Sequence, residues 1–248
     1  MSLSNLMIKN EFRFNSGKIV LGIIFNIIGT GLMYLVFVYS LNKILPRIDY
    51  INLDKFMFSS IIGWLNAMLA VGLTSNYVFR YFKDSRGDYQ RLAGTPISRV
   101  YIGFLARSLV VLIIHLIVSS LVLAALARYF QGFEQLLIFW AYALLALIFF
   151  IQVGIVIGMG RDQRTQFYWI FLIILPLFLM SGMIIPTHYY EGYLRHILMA
   201  FPSTVLIEGG RSILLKQPFN ILNILYLLGL NIFLFIGALY FFKRKLQR

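Results

Sequence analysis

The chain reads as an all-α polytopic membrane protein. It predicts six transmembrane helices, a short amphipathic helix between the second and third spans, and re-entrant or interfacial half-helices between the fifth and sixth. Three observations predict this. Six apolar stretches, Ile19–Leu41, Phe56–Val78, Ser108–Ala127, Leu136–Met159, Phe167–Ile185 and Leu222–Phe242, contain no Asp, Glu, Lys or Arg. Each has about twenty residues, the length an α-helix needs to cross a hydrocarbon core of about 30 Å. The composition is 60% hydrophobic and 12% charged, with a mean hydropathy of +0.82. A soluble domain carries about 25% charged residues. Nearly all of the charge lies between the stretches. Backbone groups in lipid must be paired within the element, so each stretch is predicted to be a helix. The connectors leave no room for a soluble catalytic domain, and one membrane domain over residues 1–248 is expected.

A net charge of +13 could point to nucleic acid, but its distribution points to topology. With the N-terminus inside, fifteen Lys and Arg fall in residues 1–18, 79–107, 160–166 and 243–248, and seven fall in the outer segments. The positive-inside rule then puts both termini in the cytoplasm of a plasma (inner) membrane protein. The surplus charge serves topology and contact with anionic membrane lipids. The chain has no cysteine, which excludes disulfides and thiolate metal sites. The first span is long for a signal peptide, lacks a small-residue cleavage site after it, and is expected to be retained.

In chain order, residues 1–18 form a basic, amphipathic lead-in that suits an interfacial helix or a simple topogenic flank. The outer loop Asn42–Lys55 is short and polar, and Arg128–Gln135 and Gly160–Gln166 are tighter still. Residues 79–107 form the long inner connector. Asp84 or Ser85 can cap a short helix there. Tyr89, Leu92 and Ala93 would form its apolar face, with Arg86, Asp88 and Arg91 elsewhere. Gly94 supplies a left-handed stop, and Thr95-Pro96 reads as N-cap and first residue of the next helix. Such a helix could be a docking handle for a cytoplasmic partner or a charged loop that only anchors topology.

The outer connector, residues 186–221, is the other long one. Pro186 ends or bends the fifth helix. Tyr189, Tyr190 and Tyr193 suit the membrane–water interface. Leu194–Phe201 and Val205–Leu215 are apolar but too short to span, and Pro202 separates them, so they read as half-helices. Glu208 and Arg211 lie three apart on one helical face and can pair, either as a functional pair or as a clamp holding the half-helices.

Several polar residues sit within spans. His115 could relay protons or contact substrate, or hydrogen-bond to a neighbouring helix. Gly22, Asn26 and Gly29 recur along one face of the first span and permit close helix approach or line a path. Asn66 and Gln152 suit buried hydrogen bonding. Tyr34, Tyr39 and Trp64 fit an interfacial belt or packing. Asn26, Tyr34 and Asn66 are the candidates for a translocation path. Gly154 and Gly158 make a GxxxG that serves either a dimer face or intrachain packing. His188 and His196 flank Glu191 without converging ligands, so no metal site is expected. The sequence holds no nucleophilic triad order and no paired intramembrane carboxylates, so no catalytic site and no cofactor site are expected. It also has no GxxxxGK[ST] phosphate loop.

At the two long connectors the chain resembles the ABC-2 type transporter permeases. Arg86-Gly87-Asp88-Tyr89-Gln90-Arg91-Leu92, followed by Thr95-Pro96-Ile97-Ser98, looks like their coupling-helix region. Ser181-Gly182, Pro186, Pro202, Glu208 and Arg211 match their S-G-x-x-x-P … P … E-x-x-R pattern, and the six-span layout matches over the whole chain. The resemblance implies a homodimer of this permease with two copies of a cytoplasmic ATPase, which would carry the ATP and Mg. Arg86, Gly87, Asp88, Tyr89, Arg91, Leu92 and Pro96 would couple to that ATPase. Ser181, Gly182, Pro186, Pro202, Glu208 and Arg211 would form the outer gate. The cargo would be amphipathic or hydrophobic: a drug, peptide, lipid or glycolipid. Within the family a glycan exporter is the alternative. Outside it, an ATP-independent secondary transporter or channel would need ionisable residues within the spans and inverted repeats, which are not evident.

Overall fold

The computed structural model describes residues 16–48, 50–83, 96–128, 132–160, 168, 172 and 179–246. Helix α1 runs Ser16–Met33, continues through a π-helical turn, Tyr34–Tyr39, and closes with Ser40–Asn42. The Ser40 hydroxyl donates to the Leu35 carbonyl at 2.8 Å across that wide turn. The following loop holds a feature that the polar composition did not announce. Strands β1 (Arg47–Ile48) and β2 (Ile51–Asn52) pair antiparallel. Tyr50 makes the turn with φ 63°.

Helices α2 (Leu53–Lys83), α3 (Ile97–Leu126), α4 (Phe133–Gly158) and α7 (Leu222–Leu246) follow the apolar stretches. With α1 they make five helices long and apolar enough to cross a membrane. The predicted fifth span, Phe167–Ile185, falls mostly outside the described residues. Two short helices, α5 (Gly192–Met199) and α6 (Pro202–Leu214), meet at an 83° bend. They would count as one further span only if the bent pair were taken as one. Pro202 sits in the first turn of α6, where its missing N–H costs nothing. The half-helix reading is therefore met in shape.

Three boundaries differ from the sequence expectation. Helix α2 continues past Phe79 to Lys83, because Arg80 reaches back to Asn76 at 3.1 Å and its cations favour the C-terminal end of the dipole. Pro96 is extended and caps α3 from outside, so the helix starts one residue later than predicted. The residue before a proline disfavours the helical region, but Pro96 itself ends in an extended ψ of 135° and leaves Ile97 as the first helical residue. Near Pro186 the chain leaves helix already at Met180, and Gly182 supplies the left-handed residue with φ 78°.

Helix α2 is the hub. Of the residues in its apolar stretch 67% are buried, against 11% for α1 and 17% for α7. Gly154 and Gly158 explain its contact with α4. A Cβ on Gly154 would lie 2.9 Å from the Val71 carbonyl oxygen, and one on Gly158 2.6 Å from that of Ser75. The GxxxG thus lets two helices of the same chain approach backbone to backbone. At the far end of α2, Tyr81 packs edge-on to Phe104 of α3, with ring centroids 5.2 Å apart. Phe242 of α7 closes the cluster, stacked 6.4 Å from Tyr81.

Polar side chains join helices inside this core, as buried polar groups must. Asn26 donates to His115 Nδ1 at 2.9 Å, and Gly22 leaves room for that imidazole. Asn66 donates to Ser119 at 3.0 Å, and Gln152 to Asn231 at 2.9 Å. Asn26 and Asn66, two of the candidate path residues, are thus buried against neighbouring helices within the chain, whereas Tyr34 is part-buried in the π-helical turn.

Candidate functional site

The connector of residues 186–221 brings its motif residues together, although partners 21 to 155 positions apart in the chain decide how. Helix α6 is wedged between α2 and α4. Its glycines make this possible. A Cβ on Gly210 would lie 2.8 Å from the Phe139 ring and 3.3 Å from Ser59. Gly209 sits directly against the Tyr142 ring. Two hydroxyls from the flanking spans tie the wedge down, and a third ties the turn before it. Ser59 donates to the Ile207 carbonyl at 3.1 Å, Tyr142 to that of Val205 at 2.6 Å, and Ser60 to that of Met183 at 3.4 Å.

Arg211 is the centre of the arrangement. Its side chain is buried, 6% exposed, in an apolar setting where an unpaired charge would be costly. Its Nε donates to the Phe56 carbonyl at 3.2 Å. One terminal nitrogen donates to Ser60 Oγ at 3.2 Å and to the Gly182 carbonyl at 3.0 Å. The guanidinium also lies 3.5 Å over the Phe56 ring, a cation–π contact strengthened by desolvation. The planar fork of arginine suits this set of divergent acceptors better than a point charge would.

Glu208 faces the same turn from the next position on the helix face. Its carboxylate accepts the Thr187 backbone N–H at 3.2 Å and, by a short contact, the Thr187 hydroxyl. The two residues read as a possible pair therefore grip one turn from two sides. Arg211 holds the carbonyl of Gly182, and Glu208 holds the first residue of the 3₁₀ turn Thr187–Tyr189. Gly182 is required twice over. Its φ of 78° suits glycine, and a Cβ there would lie 3.1 Å from both Glu208 Oε1 and Thr187 Cγ2. Pro186 caps the 3₁₀ turn with its extended backbone. Ser181 is fully buried beside it. The geometry is that of a latch that locks a turn onto a bent helix.

Sequence reasoning missed Phe56, Ser59, Ser60, Tyr142 and Thr187 as members of the site. The adjacent serines and the lone tyrosine hydroxyl within otherwise apolar spans were the available signal. The inner candidates Arg86, Gly87, Asp88, Tyr89, Arg91 and Leu92, like the lead-in up to residue 15, lie outside the described residues. Pro96 is exposed at the mouth of α3. Around the loops, His196 hydrogen-bonds to the Gly192 carbonyl and His188 packs on Tyr189.

Five membrane-length helices and a bent helix pair make this a multi-pass membrane protein. A family model described as ABC-2 type transporter matches residues 5–215, so the chain belongs to that family. It is the membrane permease subunit of an ABC-2 transporter. No curated protein and no solved structure matches this chain.

Proposed function

We propose that this permease is the membrane half of an ATP-driven exporter, working as a homodimer with two copies of a separate cytoplasmic ATPase that bind the ATP and Mg. The observation that carries this reading is the unbroken helix α2. It spans Leu53–Lys83, about 46 Å at 1.5 Å per residue. Its outer end holds Arg211 through Phe56 and Ser60, and its inner end leads into the connector of residues 84–95. The aromatic contacts of Tyr81 with Phe104 and Phe242 make that inner end rigid. A push on the connector by an ATPase would therefore be carried along one lever to the latch formed by Gly182, Thr187, Glu208 and Arg211. Both termini are cytoplasmic in this arrangement, and the latch gates the outer side. The sparsely covered helices α1 and α7 leave apolar surface for a second copy and for lipid. The cargo is amphipathic or hydrophobic, which fits a protein whose spans carry few charges.

The test is gentle purification from native membranes followed by identification of what accompanies the chain. A stoichiometric P-loop ATPase, lost when Tyr89–Leu92 is replaced, is the expected result. A stable, transport-competent preparation without one would overturn the reading in favour of a gradient-driven transporter.

A further inference from the structure

A cavity of about 600 Å³ opens between α4, the end of α6 and the start of α7. Its walls are apolar: Ile138, Ala141 and Leu145 from α4, Ile213 from α6, and Phe219 and Ile224 ahead of and within α7. Its size falls within the range of about 300–1,000 Å³ typical of small-molecule sites. Ile138 on its edge is 51% exposed, so the cavity opens onto the apolar flank of the bundle rather than into its core. Lys216 and Gln217 stand at the mouth.

Lys216 is an unusual choice for its position. Helix α6 ends in a Schellman arrangement: the Gln217 N–H reaches the Ser212 carbonyl at 2.9 Å and the Lys216 N–H reaches that of Ile213 at 3.3 Å. The residue after the cap must then be left-handed, and Lys216 has φ 55°. Glycine is the residue that this turn favours. Lysine here places an exposed ammonium group at the rim of an apolar cavity.

We propose that this cavity binds an anionic lipid drawn from the surrounding leaflet. The acyl chain would lie against Ile138, Ala141 and Ile224, and the phosphate would meet Lys216 and the Gln217 amide. The bilayer supplies such a ligand continuously, and the cation at the rim attracts an acidic headgroup more strongly than a zwitterionic one. The site also touches the latch. The Phe219 ring packs edge-on to Tyr142, with centroids 5.4 Å apart, and the Tyr142 hydroxyl holds the Val205 carbonyl of α6. A bound lipid would brace the helix that carries Glu208 and Arg211.

The experiment places the purified full chain, with any subunits it retains, in nanodiscs containing a phosphatidylglycerol with a photoreactive acyl chain. A phosphatidylcholine bearing the same chain is the comparison. The expected result is labelling of peptides covering residues 135–145 and 212–224 by the anionic probe. That labelling should fall about tenfold in Lys216→Gly, as expected for a lost charge-assisted contact, and persist in Lys216→Arg. Lys216→Gly relieves the left-handed strain and is expected to fold. Ala141→Trp, which fills the cavity, should also block labelling and covers the case in which the glycine variant fails. Equal labelling by the two probes, labelling unchanged in both Lys216→Gly and Ala141→Trp, or labelling elsewhere on the chain would overturn the proposal.

Discussion

At the scale of single residues, the latch depends on two positions whose replacement has distinct costs. Arg211 serves three acceptors and one ring at once. Lysine keeps the charge but cannot reach the Phe56 and Gly182 carbonyls together. Arg211→Lys is therefore expected to destabilise the protein by about 1.5–3 kcal/mol, the worth of one hydrogen bond to a charged group. Thermal unfolding of the nanodisc-embedded chain would show the loss, and an unchanged midpoint would remove Arg211 from the centre of the site. Gly182 fails for another reason. Alanine there must hold a left-handed backbone, at about 1–2 kcal/mol, and also displace Glu208 from Thr187. Gly182→Ala should lower both stability and transport, whereas Gly192→Ala should cost only the backbone strain, since a Cβ at Gly192 meets nothing within 4 Å. A pair of unfolding curves compares the two directly.

At the scale of elements, the α2–α4 crossing rests on the absence of side-chain atoms at Gly154 and Gly158. A methyl group at Gly158 would meet the Ser75 carbonyl at 2.6 Å and Val78 Cβ at 2.7 Å, and backbone cannot yield as a flexible side chain can. Gly158→Ala should cost about 1–3 kcal/mol through overpacking. Gly237 on α7 offers the contrast, with open space around its Cβ position. Gly237→Ala should be neutral or gain up to about 0.5–1 kcal/mol from helix propensity. Resistance to unfolding in mixed detergent micelles would rank the two, and an equal response would mean that the crossing is looser than the distances indicate. The half-helices belong to this scale too. Pro202 and the two apolar segments announced a broken element. The 83° bend falls at the break between Met199 and Pro202, and the wedge between α2 and α4 rests on Gly209 and Gly210, whose neighbours only the fold supplies.

At the scale of the whole molecule, the distribution of Lys and Arg makes a direct prediction. The chain has no cysteine, so single-cysteine variants report cleanly on sidedness. Cysteine in place of Lys43 or Lys216 should react with a membrane-impermeant maleimide from outside intact cells. Cysteine in place of Arg99 or Lys245 should react only after permeabilisation. The reverse pattern would invert the topology and with it the assignment of gate and coupling ends. All four positions lie in the described structure near helix ends, and Lys43, Arg99 and Lys216 are exposed.

The sequence by itself determined the membrane character, the boundaries of most of the long helices to within a few residues and the existence of a broken element before the last span. The reason is that lipid admits only self-paired helices of a set length, a constraint local enough to be read along the chain. It also marked Gly182, Pro186, Pro202, Glu208 and Arg211 as belonging together. Only the tertiary structure decided what they do. Glu208 turned to Thr187 and Arg211 to Phe56, Ser60 and Gly182, because a buried charge takes whichever acceptors packing brings within reach. Likewise the GxxxG could have served a dimer, and it is α2 lying against it that makes it an intrachain seam. Partners chosen across as many as 155 positions leave no local trace in the pattern of residues.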